Sequence, residues 1–278
     1  MNFMNLQIDK IIKRALLEDM PYGDISTESL FTGEEMSAAG FIAKEDGVAA
    51  GLFVAARVFE IVDADTKFTA IAKEGDAIKK GDIIAEVYGR TVSLLKAERL
   101  SLNLLQRMCG IASKTRKMAE LIKDTGARLT DTRKTTPNLR ILEKYAVRAG
   151  GGINHRFSLS DAVMLKDNHI KAAGGIKTAI EKVRKSIPHT MTVEVEVSTV
   201  GQAQEAADAG ADIIMLDNMQ RDEMILAVKT IGGKALVEIS GNITESNIKD
   251  RIIPGIDIVS SGSLTHSVEA MDISMKFM

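Results

Sequence analysis

Tryptophan is absent from the 278-residue sequence, and cysteine occurs only once. Aromatic residues make up 4% of the chain and hydrophobic residues 45%, so the core must be built from aliphatic side chains. A single thiol excludes an intrachain disulfide framework and a thiolate metal cluster, as is typical of a reducing compartment. Cys109 lies in a helical run with no histidine near it in sequence, so we expect a small buried helix residue and not a nucleophile.

The sequence also lacks an excess of charge of either sign and lacks long apolar runs. Its 36 basic and 38 acidic residues are well mixed, so no global field attracts nucleic acid or an anionic membrane. No stretch approaches the roughly 18 uncharged apolar residues of a membrane span, and the N-terminal segment carries no signal-peptide pattern. These features predict a cytoplasmic protein in which anion binding is confined to a local site.

The N-terminal third predicts a small mixed α/β domain. Residues 8–16 repeat apolar positions at helical spacing, and residues 52–62 form an alanine-rich helical stretch. Residues 36–44 and 71–88 are β-like, and in the second segment two strands flank a glycine-containing turn in a predicted hairpin. The hairpin resembles biotinyl and lipoyl domains, but Lys79 lacks the exposed Met-Lys or Asp-Lys setting of a modified lysine, which favours a structural role.

The rest of the chain predicts a parallel α/β architecture. Residues 92–123 keep a helical period that indicates one long helix or two abutting helices joining the domains. After residue 126, short apolar runs alternate with amphipathic segments, and six such βα units suggest an α/β barrel or an open relative of one. The runs are ARLTDTRKT, DAVMLKDNH, TVEVEVS, ADIIMLDNM, ALVEISGN and IDIVSSGSLTH, and the helical segments are residues 138–148, 176–187, 201–209, 221–231 and 245–253.

Polar clusters end all six predicted strands. Solvated strand ends would explain any one cluster, but they explain six in succession poorly, and the active site of a barrel gathers at the carboxyl ends of its strands. Basic residues dominate the clusters after the first two predicted strands, which implies an anionic ligand held by charge-assisted bonds. The clusters after the later strands contain acids, together with Ser-Gly and Gly-Ser turns that precede helices. This combination suggests a phosphosugar with a divalent metal. The clusters are residues 131–135, 166–169, Glu194 with Glu196, residues 217–218, Glu238 with residues 240–242, and residues 260–266, and the first loop adds Arg140, Arg148, the triple glycine 150–152 and residues 154–156.

Several of these strings together resemble the quinolinate phosphoribosyltransferase family over nearly the whole chain. They are AERLSLNLLQRMCGIAS, DTRKTTPNLRILEKYAVRAGGGINHR, LSDAVMLKDNHI, VEVEVS, MLDNM and GSLTHS, with EDMPYGDIST near the N-terminus. The resemblance implies an N-terminal α/β sandwich domain over residues 1–108 and an open, TIM-like α/β barrel over residues 109–278, with about the last 12 residues packing back on the first domain. It also implies an enzyme of NAD biosynthesis that transfers phosphoribosyl from phosphoribosyl pyrophosphate (PRPP) to quinolinate with decarboxylation, giving nicotinate mononucleotide, pyrophosphate and CO2.

Individual site residues are carried over from the family's motifs. Quinolinate would be bound by Arg133, His155, Arg156 and Arg99, the last contributed by the neighbouring subunit of a homodimer that could pair further. Without the resemblance, Arg99 would be interpreted as a solvated helix charge. The catalytic residues would be Lys134, Lys166, Glu196 and Asp217, and the two acids would hold Mg²⁺ indirectly, through PRPP. The PRPP and phosphate-binding residues would be Lys134, Lys166, Ser240, Gly241, Gly262, Ser263 and His266.

The chain departs from the family pattern at two positions, and three rival interpretations stay open. Asn242 and Ser261 stand in EISGN and SSGSLTHS where the family often has EASGG and SVGALTHS. The first rival is a related paralogue associated with molybdenum transport, and the second is a barrel lyase in which Lys166 or Lys134 forms a Schiff base with a phosphorylated sugar. The third is a small-anion binding protein without turnover. Nucleic acid is the least expected partner, because the arginines sit at strand ends and not along one helix face.

Overall fold

The structure, a computed structural model, describes the backbone of residues 3–278 and the side chains from residue 6 onward. The chain divides into two compact units. Unit 1 comprises the described residues up to Arg116 together with Thr135–Gly151 and Ser267–Met278. Unit 2 comprises Lys117–Lys134 and Gly152–His266. No helix within residues 3–278 is long and apolar enough to cross a membrane.

Unit 1 contains a four-stranded antiparallel sheet in the order β12-β1-β5-β3, and a short β2-β4 pair. Its main core is aliphatic, with an aromatic cluster in which the Phe41 ring lies 6.0 Å from Phe59 and 5.6 Å from Phe68, and a separate pair, Phe53 and Tyr145, with rings 4.8 Å apart. The strands are β1 (Met36–Ala43), β2 (Gly47–Val48), β3 (Lys67–Ala70), β4 (Ala77–Ile78), β5 (Ile83–Arg90) and β12 (Ile273–Phe277). The helices are α1 (Phe3–Asp19), α2 (Ile25–Leu30), α3 (Leu52–Val62), α4 (Thr91–Ile122, whose last residues belong to unit 2) and α5 (Arg140–Ala149).

Most predicted elements of this unit are confirmed. The helix predicted for residues 52–62 matches α3, and the helical region predicted for residues 92–123 is the single helix α4, Thr91–Ile122. The predicted hairpin is wrong in its pairing: β4 pairs with β2, whereas β5 pairs with β1 and β3. The turn residues show that two strands follow each other in sequence. They do not show that the two strands pair, because each forms its hydrogen bonds with a strand from another part of the chain.

Cys109 has the structural role that the sequence predicts. It is fully buried in α4, and its Sγ accepts a hydrogen bond from the backbone N–H of Ala50 at 3.3 Å. Burial disfavours the thiolate and raises the pKa of Cys109 to about 12. A thiol with this pKa is a poor nucleophile at neutral pH.

A buried carboxylate closes the carboxyl end of α3. Asp63 follows the helix, and its two carboxylate oxygens accept from Nε and Nη2 of Arg90 at 2.8 and 2.7 Å. Ser93 Oγ donates to the same carboxylate at 2.7 Å. Bonds to Arg90 and Ser93 outweigh the effect of burial and hold the pKa of Asp63 well below its usual range. Asp63 therefore joins α3 to the start of α4 through a satisfied buried ion pair.

The substitution Asp63→Asn is expected to lower the free energy of unfolding at pH 7 by about 2 kcal/mol, because it leaves the arginine without its counter-charge. Because the folded-state pKa of Asp63 is lowered, the stabilisation is present above the unfolded-state pKa of about 3.9 and is lost as the pH falls below it. Urea unfolding at several pH values checks both effects. Asp65→Asn is the control, since that side chain is 93% exposed and 3.9 Å from Arg90, and an equal loss in this variant would contradict the account.

Unit 2 contains a six-stranded parallel sheet in the order β6-β11-β10-β9-β8-β7, and its two outer strands are not paired with each other in the described chain. This confirms the predicted fold class, an α/β architecture with an open, TIM-like barrel. The strands are β6 (Arg128–Thr130), β7 (Val163–Leu165), β8 (Val193–Val197), β9 (Ile213–Asp217), β10 (Leu236–Ser240) and β11 (Ile258–Ser260). The helices are α6 (Asp167–Ala173), α7 (Ile176–Arg184), α8 (Val200–Asp208), α9 (Arg221–Ile231), α10 (Ile248–Arg251) and α11 (Ser263–His266), with a 3-10 turn at Lys123–Thr125.

Strand β8 shows how the sequence orients the sheet. Its valines alternate with Glu194 and Glu196, and successive side chains of a strand point to opposite faces. The valines are buried, so they supply the apolar face of the strand. The two glutamates share the other face, and Glu196 reaches the cavity that opens at the carboxyl ends of the strands.

Candidate active site

A cavity of about 580 Å³ opens at the carboxyl ends of the strands of unit 2, and all of its lining residues belong to that unit. It is lined by every predicted site residue except Arg99. Asn218 and Asn242 also line it, together with the apolar side chains of Met164 and Met215. The predicted residues along it are Arg133, Lys134, His155, Arg156, Lys166, Glu196, Asp217, Ser240, Gly241, Gly262, Ser263 and His266.

Arg99 lies elsewhere, as an exposed residue of α4 in unit 1. Its predicted role concerns the site of a neighbouring subunit, which a single chain does not test. The role of Arg99 therefore stays a prediction.

Cationic side chains form one part of the cavity wall. Arg156 is partly buried, and one of its guanidinium nitrogens, Nη1, donates to the carbonyl of Ala162 at 3.0 Å. Burial and the neighbouring charge of Arg133 lower the pKa of Arg156, although an arginine stays protonated at neutral pH. Two guanidinium groups in such proximity repel each other, and a bound dianion would relieve that repulsion.

Lys166 and Glu196 form a salt bridge inside the cavity. Lys166 follows β7 directly and Glu196 lies on the neighbouring strand β8, with Nζ and Oε2 2.6 Å apart. A charge-assisted bond of this length fixes the position of the Lys166 side chain beside Glu196. Helix α6 begins immediately after Lys166, so the residues that the sequence predicts as the end of a strand, residues 167–169, are helical.

The loops after β9 and β10 contact each other closely. The backbone N–H of Asn218 donates to the carbonyl of Ser240 at 3.2 Å, and its side-chain amide donates to Asp217 at 2.8 Å. Gly241 has a φ of +99°, and a Cβ placed there would lie 2.2 Å from Oδ1 of Asn218. Asn242 also has a positive φ, of +51°, and its side chain donates to Asn218 Oδ1 at 3.4 Å. The glycine permits a contact that no other residue type fits.

The loop after β11 packs against Lys134. A Cβ on Gly262 would lie 2.9 Å from Cδ of Lys134 and 2.9 Å from Cδ2 of His266. Thr265 is fully buried, and its hydroxyl donates to the carbonyl of Lys134 at 2.8 Å. Ser261 is buried and does not line the cavity; its hydroxyl donates to the carbonyl of Ile243 at 2.6 Å and lies 2.8 Å from the hydroxyl of Ser263. Of the two departures from the family pattern, only Asn242 lines the cavity.

Two acids behind the cavity were named as strand ends but were not included among the predicted site residues. His155 Nε2 lies 3.1 Å from Oε2 of Glu194 and 3.7 Å from Oε1 of Glu238. The ligand-type atoms of these three residues all lie within 4.8 Å of one another, so the trio could hold a metal ion. Strand periodicity places Glu194 on the same face as Glu196, a signal that could have identified it.

Comparison with known proteins finds matches to one protein family over nearly the whole chain. Family models match residues 24–109 as the N-terminal domain and residues 111–276 as the C-terminal domain of quinolinate phosphoribosyl transferase. A Bacillus subtilis relative named probable nicotinate-nucleotide pyrophosphorylase [carboxylating] is 43% identical, covering 98% of this chain and 93% of its own.

A plant relative and a solved structure agree with this result. The Arabidopsis thaliana chloroplastic nicotinate-nucleotide pyrophosphorylase [carboxylating] is 41% identical over 96% of this chain and 81% of its own. The crystal structure of NadC from Streptococcus pyogenes is 47% identical and has a TM-score of 0.95, covering 100% of this chain and 99% of that one. The chain therefore belongs to the quinolinate phosphoribosyltransferase family.

Proposed function

We propose that the chain transfers the phosphoribosyl group of PRPP to quinolinate and releases CO2 and pyrophosphate, giving nicotinate mononucleotide. The observation that carries this proposal is the cavity at the carboxyl ends of the strands of unit 2, where four cationic side chains meet two carboxylates beside glycine-containing loops. The cations suit a dicarboxylate and a pyrophosphate, and the carboxylates suit ribose hydroxyls. The family membership and the names of the relatives support the same assignment.

The proposed first step displaces pyrophosphate at the anomeric carbon of the ribose. The bond to the pyrophosphate oxygen breaks, and the pyridine nitrogen forms the new bond to carbon. Positive charge develops on the ribose in the transition state, where Glu196 and Asp217 would stabilise it. Lys134 and Lys166 would neutralise the departing pyrophosphate. No protein nucleophile is needed, so the site acts by orientation and preorganised charge.

The proposed second step is loss of the carboxylate next to the new bond. Once the pyridine nitrogen is bonded to ribose it is positively charged, and it stabilises the electron pair that the departing CO2 leaves on the adjacent ring carbon. That carbon then takes up a proton from solvent, which gives nicotinate mononucleotide. Arg133 and Arg156 would hold the dicarboxylate in one orientation throughout. The protein needs to supply only positioning and exclusion of water.

Magnesium is a proposed cofactor of the same site. Mg²⁺ is bound in proteins through one or two carboxylates together with substrate phosphates. Glu196 and Asp217 both line the cavity and would hold the ion through PRPP, so the residues present fit it. The bound ion would neutralise part of the charge on pyrophosphate.

A homodimer is the proposed assembly, with Arg99 reaching the partner's cavity. Support comes from the exposure of Arg99 on α4 and from its absence among the residues that line its own chain's cavity. Mixing inactive Arg99→Met and Lys166→Met variants should restore part of the activity, because mixed dimers would contain one intact site. No recovery after subunit exchange, shown by mass spectrometry of differently labelled chains, would contradict this assembly. The cytoplasmic location stays a prediction.

A Schiff-base lyase is disfavoured by the state of the cavity lysine. A lysine must lose its proton to attack a carbonyl, whereas Lys166 Nζ is engaged by a carboxylate oxygen of Glu196 at 2.6 Å.

Purified protein with quinolinate, PRPP and Mg²⁺ should form nicotinate mononucleotide, identified by chromatography and mass. Omission of PRPP is the control. Turnover of nicotinate in place of quinolinate would overturn the substrate assignment. Ligand-induced thermal stabilisation without product would indicate a binding protein.

Gly241→Ala is expected to raise the KM for PRPP by about tenfold or more, because a Cβ cannot fit at 2.2 Å from Asn218 Oδ1. Gly210→Ala is the matched control: Gly210 has a similar positive φ of +80°, but a Cβ at that position would meet no atom within 4 Å. Steady-state kinetics of both variants separates the effect of the contact from that of backbone strain. A normal KM for Gly241→Ala would contradict the proposed phosphate loop.

A further inference from the structure

The imidazole of His155 is bonded at both ring nitrogens. Its Nδ1 accepts a hydrogen bond from the backbone N–H of Arg156 at 2.8 Å, and its Nε2 lies 3.1 Å from a carboxylate oxygen of Glu194. The backbone N–H of His155 donates to the fully buried carboxylate of Asp131 at 2.9 Å. Three contacts therefore fix the orientation of His155: the backbone bond to Asp131, the bond at Nδ1 and the contact at Nε2.

These contacts specify where the ring proton lies. A nitrogen that accepts a hydrogen bond carries a lone pair, so Nδ1 of His155 is unprotonated in this arrangement. The proton must then sit on Nε2, where a carboxylate oxygen of Glu194 accepts it. The imidazole is neutral, and it is therefore a different kind of group from the cationic ligand that the family resemblance suggested.

Glu238 is the third member of the trio. It lies on β10, which is separated from β8, the strand of Glu194, by β9. Its side chain is 1% exposed, and within residues 3–278 its Oε1 has no hydrogen-bond partner, lying 3.7 Å from His155 Nε2. Two buried carboxylates beside one imidazole nitrogen cannot both be charged at low cost. Burial and the charge of Glu194 both raise the pKa of Glu238 above its usual range. Protonation of Glu238 would relieve this repulsion and leave the Nε2 proton to the carboxylate of Glu194.

We propose that Glu194 and Glu238 are positioning residues that hold His155 as its neutral Nε2–H tautomer, which in turn fixes the backbone from which Arg156 reaches quinolinate. The inference rests on the proposed function in so far as it names quinolinate. The tautomer itself is a property of the folded chain and does not depend on turnover. Positive charge for the dicarboxylate then comes from the arginines and lysines of the cavity, and the imidazole shapes its wall.

Long-range 1H–15N NMR of the full chain labelled with 15N-histidine tests the tautomer directly. The His155 signals are assigned by their loss in His155→Asn, with the other three histidines as internal references. At neutral pH we expect one protonated nitrogen, Nε2, and one unprotonated nitrogen, Nδ1. A doubly protonated ring, or a proton on Nδ1, would overturn the inference and would leave the proposed enzyme activity untouched.

Kinetics of Glu194 variants tests the positioning role. Glu194→Met, which removes the acceptor at similar size, should raise the KM for quinolinate about tenfold, as expected for the loss of one charge-assisted hydrogen bond. The KM for PRPP and kcat should change little, and Glu194→Gln, which retains an acceptor oxygen, should recover most of the loss. Equal rises in both KM values, or no recovery in Glu194→Gln, would contradict positioning through His155.

Glu238→Gln separates the neutral acid from a metal ligand. Glutamine resembles a protonated glutamate in shape and charge, so the His155 tautomer should be retained and the melting temperature should stay close to the original. Metal analysis of the purified protein gives the opposing outcome. A bound divalent metal that is lost in Glu238→Gln would assign the trio as metal ligands and overturn the inference.

Discussion

Lys166→Met is expected to lower kcat/KM by about 10² to 10³, the range measured when one preorganised hydrogen-bond donor to a transition state is removed. Lys166 lies in the cavity 2.6 Å from Glu196, so the change removes a cation and also leaves that carboxylate without its counter-charge. Both effects oppose the departure of pyrophosphate and would appear mainly in kcat. Steady-state and single-turnover rates measure the loss.

The matched control for this prediction is Lys171→Met. Lys171 is an exposed lysine of α6, the helix that begins directly after Lys166. Its replacement should leave kcat/KM within about twofold, because it removes a charge of the same sign outside the cavity. Equal losses in the two variants would indicate a general charge effect and would contradict the role of Lys166.

Arg156→Met is expected to raise the KM for quinolinate by about 10²-fold, the equivalent of one or two charge-assisted hydrogen bonds, with a much smaller effect on PRPP. The guanidinium is partly buried beside Arg133, and that repulsion makes the pair a receptor for a dianion. Arg156→Lys should recover little, because an ammonium group lacks the planar fork that pairs with a carboxylate. Initial rates over a quinolinate series measure the change.

Arg128→Met controls for the loss of an arginine from the same unit. Arg128 is exposed and begins β6, at the end of the strand opposite to the cavity. We expect its KM for quinolinate to be unchanged. A rise comparable with that of Arg156→Met would show that the effect of Arg156 is not local.

The barrel strands were predicted well because each carries a strong local pattern. The alternating Val-Glu run of β8 and the apolar run of β9, which ends in Asp217, are largely buried strands, and both lie where the pattern placed them. The 3.6-residue period predicted α9 with its observed bounds, Arg221–Ile231.

The elements that the sequence pattern did not reveal depend on distant partners. Strand β12 is held by pairing with β1 at the other end of the chain, and β3 by pairing with β5. Three of the four residues of β3 are exposed, so it carries no alternation of buried positions to signal a strand. Helix α6 has no buried residue and therefore presents no apolar stripe.

The sequence predicts the residues that line the cavity but not the buried residues that support them. Strand ends converge in a barrel, so the clusters of polar residues pointed to the cavity before the fold was known. Sequence spacing shows which side chains share the inward face of the barrel, but it does not show which of them line the cavity and which are buried beneath the lining. For this reason Glu194 and Glu238 are not among the predicted site residues. The buried position of Ser261, bonded to Ile243, also depends on packing that spacing does not encode.

The central claim is that one cavity couples phosphoribosyl transfer to decarboxylation. It is tested most directly by measuring pyrophosphate and 14CO2 together, from quinolinate labelled in the carboxylate next to the ring nitrogen. The account predicts equal amounts of the two products, with neither formed when PRPP is omitted. Pyrophosphate release without matching CO2, or CO2 release without PRPP, would contradict it.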